Sequence, residues 1–157
     1  MTTALTIAAF VVFGVVSLWL VVVDLREHRL PNVIVGWGSL AVAGLLAGAA
    51  LFAGNEQGWA ILRRCLIAAC CYGAVFLLLW LLAPSSLGAG DVKLAPLIGL
   101  MAGWAGTLAA VLLVPLAIAG LAGIAGALSV VRKRKRLAFG PVLILACWLG
   151  MGLSLWS

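Results

Sequence analysis

The sequence predicts an all-α, polytopic integral membrane protein of about six transmembrane helices, forming a single domain over residues 1–157. Three observations predict it. Hydrophobic residues make up 66% of the chain and charged residues 9%, more apolar side chain than a soluble fold of this length can hide from water. The apolar residues fall in runs of bilayer-spanning length, separated by short stretches carrying Pro, Gly and charge. The Lys and Arg residues cluster between those runs, which reads as a topology signal and argues against nucleic-acid binding.

The first span covers about residues 3–23 and stops at Asp24. No basic stretch precedes it, so it is expected to be retained as a helix and not removed as a signal peptide. The polar loop LREHR leads to Pro31, expected in the first turn of a second span that reaches about residue 52. The turn GNEQG at 54–58 precedes a third span over about 59–83. PSSLGAG at 84–90 breaks the pattern before a fourth span, predicted from Asp91 to Trp104. A fifth, about 107–131, is expected to kink at Pro115. The run RKRKR at 132–136 precedes the sixth, which opens at Gly140-Pro141 and continues to the C-terminus.

Charge orients these spans. With the N-terminus outside, Arg26, Arg29, Lys93 and the RKRKR run all fall on the inner side, and only Arg63 and Arg64 on the outer. Trp59, Trp104 and Trp156 then lie near the outer interface, as an aromatic belt would. Small-residue faces such as Gly44-xxx-Gly48, Gly99-xxx-Gly103 and the GLAGIAG stretch at 120–126 are expected to let helices approach closely. Oligomeric state stays open. Cys65, Cys70, Cys71 and Cys147 lie inside apolar runs and read as packing residues, not metal ligands or disulfides.

The chain holds four acidic residues, and Asp24 and Asp91 are the two set against bilayer-length apolar runs. An ionisable group beside lipid is costly and is a functional candidate by default. Two such carboxyls are enough for acid–base hydrolysis of a peptide bond. The fourth span rises only about 20 Å against a hydrocarbon core of about 30 Å. This favours a wet cleft open to the cytoplasm, because irregular backbone at that depth needs protein or water around it.

The segment from Gly88 to Lys93 has the form GxGDxK, LPN stands at 30–32 shortly after Asp24, and AFGP stands at 138–141. Together these motifs resemble the type IV prepilin peptidase family, membrane aspartyl proteases of the GxGD type, over nearly the whole chain. The resemblance implies a peptidase of the bacterial inner membrane that removes the short basic leader from prepilins or pilin-like proteins at the cytoplasmic face. The family's two catalytic aspartates fall on Asp24 and Asp91. Larger members carry a cysteine-tetrad insert and methylate the new N-terminus. Here the first inner loop is only LREHR, so methyl transfer is not expected, and the chain resembles the compact peptidases of Flp/Tad-type pilus systems and of some Gram-positive bacteria.

In such a pair one carboxyl keeps its proton while the other ionises, activates a water and leaves its partner to polarise the scissile carbonyl. No metal or cofactor is called for. Asp91, at a helix start, is expected to carry the charge and Asp24, at a helix end, the proton. Gly88 and Gly90 are expected to adopt backbone conformations closed to other residues and to leave room for a substrate strand. Lys93 should point away from Asp91 and snorkel to lipid headgroups. Pro31 and Asn32 shape the start of the second span beside the cleft, as Gly140 and Pro141 do for the sixth. Glu27 and His28 receive no role. Two other classes compete: a small proton- or ion-coupled transporter, against which the absence of a repeat and the one-sided aspartates argue, and a non-catalytic pilus-assembly component.

Overall fold

The computed structural model describes residues 1–27, 31–82, 88–106 and 140–154, and these form five helices with no strand among the described residues. They are α1 (Thr2–Glu27), α2 (Asn32–Ala53), α3 (Glu56–Leu82), α4 (Ala89–Ala105) and α5 (Gly140–Ser154). The expected fifth span, the RKRKR run, His28, Arg29 and Trp156 lie outside the described residues. Helices α1, α2 and α3 are each long and apolar enough to cross a bilayer.

Local chemistry sets the helix ends and moves several from their expected places. Helix α1 does not stop at Asp24 but continues to Glu27, because Leu25, Arg26 and Glu27 are good helix formers and no breaker occurs before Pro31. Pro31 is the extended N-cap of α2 (φ −69°, ψ 117°), one position before the first turn, and its carbonyl accepts from the N–H groups of Ile34 and Val35. Gly54 closes α2 in the left-handed region at φ 63°, which an L side chain would strain. Asn55 then starts α3 a turn earlier than expected: its Oδ1 accepts from Gly58 N–H at 2.8 Å, satisfying an orphan donor of the first turn.

Backbone contact holds the bundle together. A Cβ added at Gly99 would stand 2.7 Å from Ala68 O, and one at Gly103 would stand 2.6 Å from Cys65 Cα, so α3 and α4 meet main chain to main chain. Gly73 makes room for Pro96, whose ring carbon lies 3.2 Å from where the Gly73 Cβ would be. Pro96 costs α4 one internal hydrogen bond, and the α3 surface is shaped to accept its ring. Gly38 receives Val16 of α1 in the same manner, and Gly48 packs on Leu5. Gly44, by contrast, has nothing within 4 Å among the described residues, so the 44–48 pair is not a two-point contact there.

The short α4 lies inside the bundle. Leu94, Ala95, Leu97, Ile98 and Met101 are all buried, whereas Val11, Val15, Leu18, Trp37, Leu40, Leu78 and Leu81 on the longer helices face outward. A helix surrounded by protein need not match the full hydrocarbon thickness, which accounts for its length. Arg64 on α3 closes its far end. Its Nε donates to Gly103 O at 2.6 Å and its terminal nitrogen to Trp104 O at 3.2 Å, satisfying carbonyls that the helix leaves unpaired. The charge pattern places Arg64 on the outer side and carries no sign of this contact with α4.

Helix α5 packs on α1 and α4. The rings of Phe13 and Trp148 stand 5.5 Å apart, a Cβ added at Gly14 would come within 3.7 Å of the Trp148 ring, and Cys147 Sγ lies 3.9 Å from Ile98 O. Cys65 and Cys147 are both buried and act as packing residues, as expected. Between α1 and α5 a groove of about 440 Å³ is lined by Ser17, Val21, Pro141 and Ile144, among others. Pro141 therefore sits toward the Asp24 end of α1, and α5 starts at the end of the bundle where α4 starts.

Candidate active site

Two carboxyls occupy the end of the bundle formed by the last turn of α1 and the first turns of α2 and α4. Asp24 is 7% exposed and Asp91 is 6% exposed. Both lie where the last turn of α1 and the first turn of α4 come to the same end of the bundle, within electrostatic reach of each other. Each reaches that point by helix phase. Leu20, buried on α1, precedes Asp24 by four residues and shares its face. On α4, Leu94 and Ala95 follow Asp91 at three and four residues and are equally enclosed. The apolar stripe that seats each helix in the core thus carries its carboxyl inward.

Gly88 and Asp91 form a closed local unit. Gly88 is the N-cap of α4, and its carbonyl accepts from the Asp91 N–H at 3.1 Å. In return the Gly88 N–H donates to the Asp91 carboxylate. An acidic residue three positions after the cap supplies the carboxylate half of a capping box, while the cap's backbone carbonyl takes the place of the side chain that glycine lacks. The Asp91 carboxylate consequently faces the amino end of α4, where the helix dipole favours an anion.

Gly88 does not need glycine for its backbone. Its φ of −73° and ψ of 139° are open to any residue, Gly90 is helical, and neither has positive φ. The expectation of special backbone conformations is therefore corrected. Glycine is needed at 88 for space: a Cβ there would stand 3.1 Å from Asp91 Oδ2. Asp24, likewise, does not close its helix but lies within the last turn of α1.

The remaining predicted residues divide by position. Lys93 and Asn32, from two different motifs, meet: Lys93 Nζ donates to Asn32 Oδ1 at 2.8 Å on the exposed side of the site. The expectation that Lys93 faces away from Asp91 holds, since it is exposed where Asp91 is buried, but its ammonium is tied to α2. Pro31 caps α2 beside them. Gly140 begins α5 and Pro141 lines the groove on α1, which brings the sixth-span motif to the same end.

Residues 11–125 match the model of the type IV leader peptidase family, a range that contains both aspartates, and the chain belongs to that family. It is a peptidase, and hence a hydrolase, built on apolar membrane helices. No curated protein and no solved structure matches the chain.

Proposed function

We propose that this chain is an aspartic leader peptidase in which Asp24 and Asp91 activate one water between them. The observation that carries the reading is a pair of buried carboxyls, delivered by separate motifs and within electrostatic reach of each other, at one end of an apolar bundle. Two like charges in a poorly solvated site cannot both persist, so one carboxyl holds a proton while the other is ionised. The ionised carboxyl takes a proton from water as it attacks the scissile carbonyl. The protonated one donates to the carbonyl oxygen, giving a tetrahedral gem-diol. Collapse of that species, with protonation of the departing amine, releases leader and mature protein. Asp91 is taken as the base on position alone: it stands in the first turn of α4, at the positive end of the helix dipole, while Asp24 lies in the last turn of α1.

The substrate proposed is a prepilin or pilin-like precursor with a short basic leader, cut at the cytoplasmic face of the inner membrane. The Lys and Arg asymmetry supports that orientation, with Lys93 and Arg26 beside the site and Arg63 and Arg64 at the far end of α3. Methyl transfer is not part of the proposal. The test is co-expression of candidate pilin precursors with the wild-type chain, D24A or D91A, followed by mass-spectrometric mapping of pilin N-termini. Trimmed N-termini with the wild type alone support the reading. Intact leaders in every strain, or trimming by both variants, refute it.

A further inference from the structure

The two helices that carry the aspartates barely meet. Helices α1 and α4 each pack against α2 and against α5, and the contact they share with each other is minor among the described residues. The separation of Asp24 and Asp91 is therefore transmitted through α2 and α5, and of the two α2 carries a polar tie to α4 beside the site. What α2 buries is apolar or small: Val35, Gly38, Val42, Leu46, Ala49 and Ala50. Apolar packing resists separation of helices but tolerates small rotations and axial slips, because it is non-directional. A hydrogen bond between the two helices adds a directional tie that such packing lacks.

We propose that the hydrogen bond from Lys93 to Asn32 sets the relative position of Asp24 and Asp91, making both residues positioning residues for the catalytic pair. The inference rests on the reading of those aspartates as catalytic. Lys93 lies two residues after Asp91, so its backbone moves with the Asp91 turn of α4. Asn32 is the first residue of α2, held by the fixed φ of Pro31 and starting five residues after α1 ends. The 2.8 Å bond therefore links the Asp91 turn to the start of the helix that follows Asp24. Its exposure implies a small share of global stability, so it can be removed without unfolding the protein.

Lys93 could influence the site in two other ways, as a bare positive charge or as a contact for substrate, and Asn32 separates all three. N32A removes the acceptor and leaves every charge in place. The assay uses purified full-length protein and a synthetic precursor peptide with a basic leader followed by an apolar segment. A joint predicts that K93M and N32A each lower kcat at least about 10-fold, with KM held within about twofold. It also predicts that the double variant is no worse than either single one and that K93R restores kcat. Wild-type kcat in N32A, a loss confined to KM, or multiplicative effects in the double variant would overturn it.

A second measurement needs no substrate. Spin labels at R26C and A89C, on the exposed ends of α1 and α4, report the distance between the two helices once the native cysteines are replaced by alanine. The joint predicts one narrow distance distribution in the parent and with K93R, and a shifted or broadened one with N32A and K93M. An unchanged distribution in N32A overturns the proposal. Absence of cleavage by the wild type, with the spin-label result as expected, would instead refute the peptidase reading and leave the joint standing.

Discussion

The Asp91 carboxylate folds back over Gly88, its Oδ2 standing 3.1 Å from the point where a side chain on that glycine would begin. The glycine before the catalytic candidate is thus a seat for the carboxylate. Alanine at 88 keeps an allowed backbone but pushes the oxygen away from the helix amino end. G88A is expected to fold and insert normally while losing about 3- to 10-fold in cleavage rate, since the oxygen must give by a few tenths of an ångström and a full 1 Å misplacement costs about 100-fold. Peptide cleavage by purified protein, alongside its thermal unfolding, checks both halves of that statement.

Much of this site is legible in the chain itself. Apolar runs of bridging length give α1, α2 and α3, and the scarcity of acids singles out Asp24 and Asp91 before any geometry is known. What periodicity does not convey is contact between helices. The Lys93–Asn32 bond joins residues whose distance in sequence carries no signal, and the Arg64 cap on α4 is equally invisible. Helix ends slip for a simpler reason. Hydropathy marks where lipid exposure ends, whereas α1 runs on past Asp24 because its next residues still favour a helix.

The α3–α4 seam is expected to tolerate nothing larger than glycine. G103A would set a methyl 2.6 Å from Cys65 Cα, and backbone cannot yield as a side chain tip can. We expect a loss of about 1–3 kcal/mol, the range for overpacking a tight interface. Denaturant unfolding in detergent measures it. G44A is the internal control, because its methyl meets open space among the described residues and should be neutral or mildly stabilising.

Arg64 is expected to matter for stability and not for chemistry, since it grips the end of α4 remote from Asp91. R64A strips two carbonyls of a charged donor, a loss of about 1.5–3 kcal/mol. R64K should recover only part of this, because an ammonium lacks the planar fork that reaches two carbonyls at once. Unfolding midpoints of the three proteins should rank wild type, R64K, R64A. Their kcat values per folded molecule should agree.

The rate of cleavage should follow a bell-shaped dependence on pH. At the acid side both carboxyls are protonated and no base is left; at the alkaline side both are ionised and no acid is left. The two limbs belong to the pair and not to either residue alone. Vibrational difference spectra instead locate the resting proton: D24N should abolish the protonated-carboxyl band near neutral pH, and D91N should retain it. The reverse pattern would exchange the roles of base and acid.

Shared duty between Asp24 and Asp91 is measured most directly by a double-mutant cycle on purified protein with a precursor peptide. Partners acting on one water lose their function together, so D24N and D91N should each reduce cleavage to background and D24N/D91N should fall no further. Substantial turnover in either single variant, or a further stepwise loss in the double one, would contradict the account.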